Sequence, residues 1–153
     1  MLSIAVMEAW EVEARECIRD LVARYNANGD AGRIDAVAEL FAPDAELEVP
    51  GRSLQGREEI RSFLAGIGAE TRSQREHGFQ LIRHFTATHQ IDVADRERAT
   101  GRCYYAVLTD RGLDHWGRYI DEYRRHDGRW LFARRRATVD GRSPGSWSEA
   151  IRR

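Results

Sequence analysis

The chain has 153 residues, of which 42% are apolar and 32% charged, as is typical of one globular domain that can bury its own core. Its formal net charge of -1 gives no reason to expect a nucleic-acid partner or an anionic membrane surface. All 24 basic side chains are arginine, which excludes Schiff-base catalysis, lysine-bound pyridoxal chemistry and a Walker-type phosphate loop.

The N-terminal half predicts three helices and two short strands. Apolar residues at helical spacing predict a first helix over residues 8–27, ended by Asn28-Gly29, and a second from Ile34 to Phe41, ended by Pro43. The next segments are a strand over 46–49, a short strand at Leu54, a third helix that begins near Gly56 and includes 60–67, and a polar loop over 68–78.

From residue 81 the apolar period changes from 3.6 to 2. The predicted strands are 81–94, 97–109, 114–126 and 129–140, separated by turns rich in Asp and Gly. Long strands joined by short turns predict an antiparallel meander, so the fold class is α+β, with three helices packed on one face of a curved sheet. Such a sheet forms a cone with an internal pocket for a small ligand. The predicted domain is 1–142, and 143–153 is a C-terminal tail or a short extra helix.

Alternation along the third meander strand assigns its side chains to two faces. One face carries His115, Tyr119, Asp121 and Tyr123. The opposite face carries Trp116, Arg118, Ile120 and Glu122.

The N-terminal end and the cysteines bear on where the protein is found. The first sixteen residues turn acidic and lack the basic start and cleavage site of a secretory signal, and no apolar run is long enough to span a membrane. Cys17 and Cys103 form no disulfide framework and are interpreted as reduced, partly buried thiols. We therefore expect a cytoplasmic protein.

Three stretches carry a resemblance to a known family, and together they cover about residues 10 to 140. They are IRDLVARYNANGDAGRIDAVAELFAPDAELEVPG, RHFTATHQIDV and GRYIDEYRRHDGRWLFARR. The chain resembles the SnoaL-like family of the nuclear-transport-factor-2-like superfamily, in the branch of scytalone dehydratase, bile-acid 7α-dehydratase and hexachlorocyclohexane dehydrochlorinase. The resemblance implies a cone-shaped α+β barrel.

The resemblance also implies four catalytic residues. In this branch an aspartate after the first helix pairs with a histidine on the first meander strand, and those positions are Asp30 and His84 here. A tyrosine five residues before the aspartate is Tyr25, and an arginine five residues after the last strand's tryptophan is Arg135. The chain departs from many relatives at Arg33, where they have a second acidic residue; we expect this to affect only the surface.

Four further residues are expected to contact the substrate. Tyr119 would line the pocket by family position, and His115 is a candidate for the second histidine that scytalone dehydratase has in its pocket. Phe63 and Tyr105 are expected to complete this set.

The residue types suit proton transfer at carbon. A neutral imidazole accepts a proton near pH 7, and a carboxylate on its other nitrogen fixes the tautomer and stabilises the imidazolium. His84 would take a proton next to an activating group and return it to departing hydroxide or chloride. Tyr25 would donate a hydrogen bond, and Arg135 would hold a developing anion.

Each of these residues also has a purely structural interpretation. Asp30 could cap a helix, His84 could be an ordinary strand histidine, and Tyr25 continues the apolar stripe of the first helix. Arg135 lies in a run of three arginines, where a one-residue slip of register reverses its face.

No cofactor or metal is expected. No histidine spacing matches a zinc site, and His84 and His89 are five residues apart on a predicted strand, which places them on opposite faces.

Three functions remain open at this stage. The first is a cofactor-independent lyase or isomerase acting on a hydrophobic, cyclic small molecule. The second is a non-catalytic ligand-binding or subunit module, like the small subunit of ring-hydroxylating dioxygenases. The third is a polyketide cyclase or ketosteroid-isomerase-like enzyme, for which Asp121 is the inward carboxylate on the meander. The resemblance further implies a homo-oligomer, a trimer or a dimer, whose subunits pack through the sheet face of Trp116 and Ile120.

Overall fold

The computed structural model of the protein describes residues 6–77 and 81–152. Its elements are α1 (Ala9–Asp30), α2 (Ile34–Ala38), β1 (Phe41–Val49), β2 (Arg52–Gln55), α3 (Arg57–His77), β3 (Ile82–Val93), β4 (Arg98–Thr109), β5 (Gly112–His126), β6 (Arg129–Arg142) and a C-terminal 3-10 helix (Trp147–Arg152). The strands form one sheet in the order β2-β1-β6-β5-β4-β3, and only β1 and β6 pair in parallel. The predicted α+β class with a mainly antiparallel sheet is confirmed. In the described chain no helix has both the length and the apolar character needed to cross a bilayer.

Two predicted boundaries in the N-terminal half are wrong. The second helix ends at Ala38, and Phe41 to Val49 form a strand that contains Pro43. The reason is tertiary: Leu40 O accepts a hydrogen bond from Phe132 N, which draws this segment onto β6. Pro43 is tolerated because it lies where the β1–β6 register is interrupted, so no ladder bond needs its missing N–H.

The third helix is longer than predicted. Residues 68–77, predicted as a polar loop, continue α3 to His77; the last residue of that predicted loop, Gly78, lies outside the described residues. The segment is rich in Glu, Arg, Gln and Ser but has few apolar positions. A polar helical surface therefore resembled a loop in composition, although most of these side chains have ordinary helix propensity.

The end of α1 is set by Gly32 rather than by Asn28-Gly29. Gly32 has φ +72°, its N–H donates to Gly29 O, and the N–H of Arg33 donates to Asn28 O at 2.9 Å. This is the hydrogen-bond pattern of a Schellman motif, whose left-handed residue favours glycine. Asp30 is consequently part of the last helical turn, where its direction is fixed by the helix.

The hydrophobic core lies between α1, α2 and the concave face of the sheet. Ile18 and Val22 of α1 pack with Phe41, Leu47 and Phe132 of the sheet, and all five are essentially inaccessible to solvent. Burying each such side chain contributes about 1.5–3 kcal/mol to folding. The other end of the cone is left open for a cavity.

Two β-bulges change which side chains face the cone. In β3 the register shifts between Ala87 and Gln90, and Thr88 has φ +53°. The extra residue reverses the alternation, so His84 and His89 both point to the concave side. Their predicted placement on opposite faces is therefore wrong.

The second bulge lies in β5. Its register against β4 shifts after Val107, which adds Asp114 to the strand. Asp114 and His115 are therefore both buried although they are consecutive residues. Beyond the bulge, the predicted alternation holds, with Tyr119, Asp121 and Tyr123 buried and Trp116 and Ile120 partly exposed.

The two cysteines have different environments. Cys103 is buried on β4, and burial raises the pKa of its thiol to about 11. Cys17 is exposed on α1, next to the buried stripe that includes Ile18, so the expectation that it is partly buried is wrong.

The convex face of the sheet exposes several large apolar side chains. They are Phe85, Tyr104, Leu113, Trp116 and Ile120, each 37% or more exposed. Several large apolar side chains exposed on one face are typical of a surface that packs against another polypeptide. The homo-oligomer stays a prediction.

We expect Ile120→Glu to dissociate the oligomer, because it replaces an exposed apolar side chain of this face with a carboxylate. Size-exclusion chromatography with light scattering should give a multiple of the 17.6 kDa chain mass for the wild type and the monomer mass for the variant. Val12→Glu, at an exposed site on α1, is the matched control. A monomeric wild type, or equal dissociation by both variants, would contradict the prediction.

Candidate active site

A cavity of about 620 Å³ opens between the concave face of the sheet, the end of α1 and the side of α3. Its inner wall is buried and largely apolar or aromatic, and includes Val37, Ile82, Tyr105 and Tyr119. The volume lies in the range of small-molecule pockets. Phe63, Tyr105, His115 and Tyr119, all expected to contact the substrate, line it.

Asp30 and His84 form a dyad at the wall of this cavity. His84 Nδ1 donates to Asp30 Oδ1 at 2.6 Å, and the backbone N–H of His84 donates to Asp30 Oδ2 at 2.9 Å. Their side chains are 12% and 22% exposed, respectively, so the pair is shielded without being sealed off. Because Nδ1 is held by the carboxylate, Nε2 is the ring nitrogen left for a ligand.

Tyr25 lines the cavity, whereas Arg135 lies one layer beneath it. Arg135 is not among the lining residues and its side chain is 0% exposed. Its guanidinium carbon lies 4.2 Å from the ring centre of Tyr25 and 4.0 Å from that of Tyr119. The structure therefore brings Tyr25, Asp30 and His84 together at the cavity and places Arg135 behind the tyrosines.

The charge of Arg135 is balanced by Asp121. Nε and Nη2 of Arg135 donate to the two carboxylate oxygens at 2.9 and 2.7 Å. Burial acts to lower the pKa of Arg135, but the adjacent carboxylate raises it above its ordinary value. The hydroxyl of Tyr123 donates its proton to Asp121 Oδ2. The same hydroxyl oxygen lies 3.2 Å from His89 Nε2 and therefore accepts a hydrogen bond from it. Asp121, the inward carboxylate of the sequence prediction, is buried but does not line the cavity.

A second histidine–aspartate pair faces the same cavity. His115 Nδ1 donates to Asp114 Oδ2 at 2.8 Å, and both side chains are 9% exposed. His84 and His115 pair with the same residue of β4, Val107, from opposite sides. The two imidazoles therefore lie in one row across three strands, roughly 10 Å apart at their Cα atoms.

The C-terminal segment holds this second pair in place. Ser146 Oγ donates to Asp114 Oδ2 at 2.5 Å, and the N–H of Trp147 donates to Oδ1. Because the Ser146 proton is used in that bond, Ser148 Oγ donates to Ser146, and Ser148 in turn accepts from Arg142 Nε at 2.9 Å. Trp147 and Ser148 line the cavity, and Ser146 holds them to Asp114 from behind.

Burial also controls the protonation of the lining side chains. Burial lowers the pKa of His115, while Asp114 acts to raise it, so the imidazole is neutral at pH 7. Burial raises the pKa of Tyr25 and of Tyr119, so both phenols stay protonated. Tyr105 is occupied as well, since its hydroxyl donates to Thr138 O at 2.7 Å.

Sequence reasoning missed Asp114, Ser146, Ser148, Arg142 and Asn26. Strict alternation assigns Asp114 to the convex face, and only the bulge in β5 turns it inward. A tryptophan within the polar tail SPGSWSEAIRR was the one signal that this segment packs against the domain. Asn26 lines the cavity on α1, and its buried Oδ1 has no hydrogen-bond partner among the described residues.

Within the described ranges, no three His, Cys, Asp or Glu side chains are grouped closely enough to hold a metal ion. The two histidines of the cavity have separate carboxylates on their Nδ1 atoms and lie on different strands.

Comparison with known proteins identifies the family. The SnoaL-like domain family matches residues 10–136, which is most of the chain, so the protein belongs to the SnoaL-like family as its sequence predicts. No protein of curated function matches the chain.

Solved structures share this fold. A protein of Novosphingobium aromaticivorans, provisionally described as a scytalone dehydratase, is 21% identical, with 90% of this chain and 91% of that chain covered and a TM-score of 0.75. A type 3 hexachlorocyclohexane dehydrochlorinase of Novosphingobium barchaimii is 18% identical, with 88% and 92% covered and a TM-score of 0.73. A Mycobacterium tuberculosis protein of unknown function is 27% identical, with 84% and 77% covered and a TM-score of 0.72. The fold therefore hosts lyase-type enzymes as well as proteins whose role is unknown.

We expect the pKa of the His115 imidazole to lie below its ordinary value of 6.5, because the side chain is buried. In the Asp114→Asn variant the pKa of His115 should be lower still, because the carboxylate that favours the imidazolium is removed. The measurement is an NMR titration of the imidazole Hε1 signal, assigned with His115→Gln. Because the folded-state pKa is the lower one, this group makes the protein less stable as pH falls through the range just below 6.5. A midpoint that rises in Asp114→Asn would contradict the assignment.

Asp121→Asn should lower the free energy of unfolding by about 3–5 kcal/mol, because it leaves the buried guanidinium of Arg135 without its counter-charge. Urea unfolding monitored by circular dichroism measures the change. Asp140→Asn, which breaks the half-exposed pair with Arg118, is the control and should cost less than about 1 kcal/mol. Equal losses would show that the buried pair is not a structural requirement.

Proposed function

We propose that the protein is a cofactor-independent lyase or isomerase that acts on a hydrophobic, cyclic small molecule. The observation that carries the proposal is the Asp30–His84 dyad, with its 2.6 Å hydrogen bond, at the wall of a largely apolar cavity. A shielded carboxylate that orients a cavity-facing imidazole is an arrangement suited to general-base catalysis.

The proton moves through Nε2 of His84. In an elimination, Nε2 takes the proton from a carbon next to an activating group, and the C–H electron pair forms the new double bond. The bond to hydroxide or halide breaks with its electron pair on the leaving group. The imidazolium, stabilised by Asp30, then returns its proton to hydroxide to give water, or to solvent when halide leaves. In an isomerisation, the same proton returns to another carbon of the substrate.

Neutral groups around the dyad support the charge that develops on the substrate. The Tyr25 phenol stays protonated and lines the same cavity, so it can donate to an enolate oxygen or to the leaving group. His115, held by Asp114, presents its free Nε2 to a substrate hydroxyl. Arg135 acts indirectly in this scheme, because it fixes Tyr25 and Tyr119 from behind.

The shape and chemistry of the wall favour a ring-shaped substrate. Tyr105 and Tyr119 stack at a centroid distance of 4.6 Å, and Phe63 lines the opposite wall on α3. Flat aromatic surfaces of this kind contact planar or cyclic apolar molecules over a large area.

The two alternative functions make different demands on the site. A cyclase or ketosteroid-isomerase-like mechanism with its carboxylate on the meander needs Asp121, whose oxygens are taken by Arg135 and Tyr123 behind the wall. A non-catalytic module would bind ligand equally well without an intact dyad. Neither alternative accounts for a carboxylate that holds a cavity histidine through both of its oxygens.

We expect His84→Ala to abolish turnover and Asp30→Asn to reduce it by about 10²–10⁴-fold, because the amide no longer fixes the tautomer or stabilises the imidazolium. The measurement is single-turnover conversion of a panel of cyclic hydroxy-ketones, enones and halocyclohexanes. His126→Ala, at a half-exposed site outside the cavity, is the matched control. Activity like that of the wild type in His84→Ala, with the fold preserved by circular dichroism, would refute the proposal.

A further inference from the structure

The lining of the cavity carries more positive than negative charge. Among the described residues it includes three guanidinium groups, on Arg52, Arg72 and Arg142, but one carboxylate, on Asp30. Both oxygens of Asp30 are held by His84. A molecule that enters the cavity therefore meets a net positive field in a partly desolvated space, where electrostatic interactions are stronger than in bulk water.

Two of these arginines lie at the mouth. Arg52 is the first residue of β2, and its guanidinium carbon is 5.7 Å from the ring centre of Phe63. Arg72 is on α3, one helical turn beyond Gly68, which also lines the cavity. Both side chains are exposed, and neither forms an ion pair or hydrogen bond with another residue that the structure describes.

Arg142 carries the positive charge further inward. It is half-buried at the end of β6, opposite His115 in the strand register. Its one hydrogen bond within the described chain goes to the neutral hydroxyl of Ser148. Arg142 therefore forms no direct ion pair in the described chain, and its contact with a carboxylate runs only through Ser148 and Ser146 to Asp114.

Several other arginines of the sheet are paired with carboxylates. Arg134 lies 2.8 Å from Glu48, and Arg118 forms a pair with Asp140. These carboxylates pair with arginines that do not line the cavity. Guanidinium groups without a counter-charge at the entrance of a pocket are suited to an anionic ligand.

We propose that the natural ligand is an amphiphilic anion, with an apolar ring body in the aromatic interior and a carboxylate or phosphate group held at the mouth by Arg52 and Arg72. Planar guanidinium groups donate two parallel hydrogen bonds to the oxygens of either head group. Arg142 extends the same field towards His115. The inference shares its cavity with the proposed lyase or isomerase function and names the class of its substrate.

The test compares an anionic and a neutral probe that share the same aromatic rings. Binding of 8-anilinonaphthalene-1-sulfonate and of N-phenyl-1-naphthylamine to the full chain is followed by fluorescence titration at low salt. We expect the sulfonate to bind the wild type more tightly than the neutral amine. The double variant Arg52→Gln/Arg72→Gln should bind the sulfonate about three- to tenfold more weakly and the amine unchanged.

The matched control removes the same charge from the convex face. Arg83→Gln/Arg102→Gln changes two exposed arginines that do not line the cavity. It should leave sulfonate affinity as in the wild type. The proposal is overturned if both double variants weaken the sulfonate equally, which would indicate a non-specific charge effect, or if only the control does, which would place the probe on the convex apolar face.

Displacement identifies the head group. Bound sulfonate is competed with 2-naphthoate, with 2-naphthyl phosphate and with uncharged 2-naphthol. Stronger displacement by either anion supports the proposal and tells a carboxylate from a phosphate ligand, whereas equal displacement by 2-naphthol overturns it. Repeating the titration with His84→Ala separates the two proposals, because anion binding does not require the dyad while turnover does.

Discussion

The buried ion pair of Arg135 and Asp121 links the three elements on which the cavity depends. Arg135 belongs to β6 and Asp121 to β5, and the guanidinium lies under the rings of Tyr25 from α1 and Tyr119 from β5. An uncompensated charge at this depth would be very costly, so the two strands must keep the register that joins them. That register fixes the tyrosines that form the inner wall.

The Arg135–Asp121 pair lies behind the side chains that line the cavity and is not part of the cavity surface. Its charges are satisfied within the wall, so the inner wall above it presents neutral side chains, the phenols of Tyr25 and Tyr119 and the imidazole of His115. Hydrogen bonds from Tyr123 and then His89 extend the network to β3. A single polar layer therefore connects α1, β3, β5 and β6 beneath the candidate site, and each ring above it has a defined position.

Two β-bulges aim the second half of the site. The bulge in β5 turns Asp114 inward beside His115, and the one in β3 turns His89 towards Tyr123. Bulges re-aim side chains at the cost of regular pairing, and they are frequent next to functional sites. The bulge in β5 allows the consecutive residues Asp114 and His115 to lie on one face, so the carboxylate can orient the imidazole next to it. The bulge in β3 allows His84 and His89, five residues apart, to do the same.

Charge is distributed along the depth of the cavity. The inner wall holds protonated phenols and two imidazoles, and each imidazole is held through Nδ1 by its own carboxylate. Arginines that form no ion pair with any described residue lie at the mouth. An anionic head group at the mouth would leave the apolar body next to the dyad. Binding and proton transfer would then be performed by different residues, since the charges that attract the ligand are not those that exchange protons with it.

The sequence by itself determined the fold class, the family and the residues of the first dyad. Periodicity separates the helical half from the meander because the two periods, 3.6 and 2, differ strongly over long segments. Asp30, His84 and Tyr25 could be named because they lie in stretches that resemble the family. The polar end of α3 was missed because exposed helices and loops share a composition. The start of β1 at Phe41 was missed because pairing with β6 overrides local spacing.

Tertiary structure alone decided which further side chains share the cavity. Alternation cannot locate a bulge, so it gave no sign that Asp114 lies on the same face as His115, and it placed His89 on the face opposite His84. The position of Arg135 behind Tyr25 depends on the β5–β6 register, which no local pattern specifies. Ser146 and Ser148 reach the site through contacts between distant parts of the chain. Local sequence determines the spacing of apolar residues and the residue types, whereas long-range pairing determines the strand register and the face of the sheet on which each side chain lies.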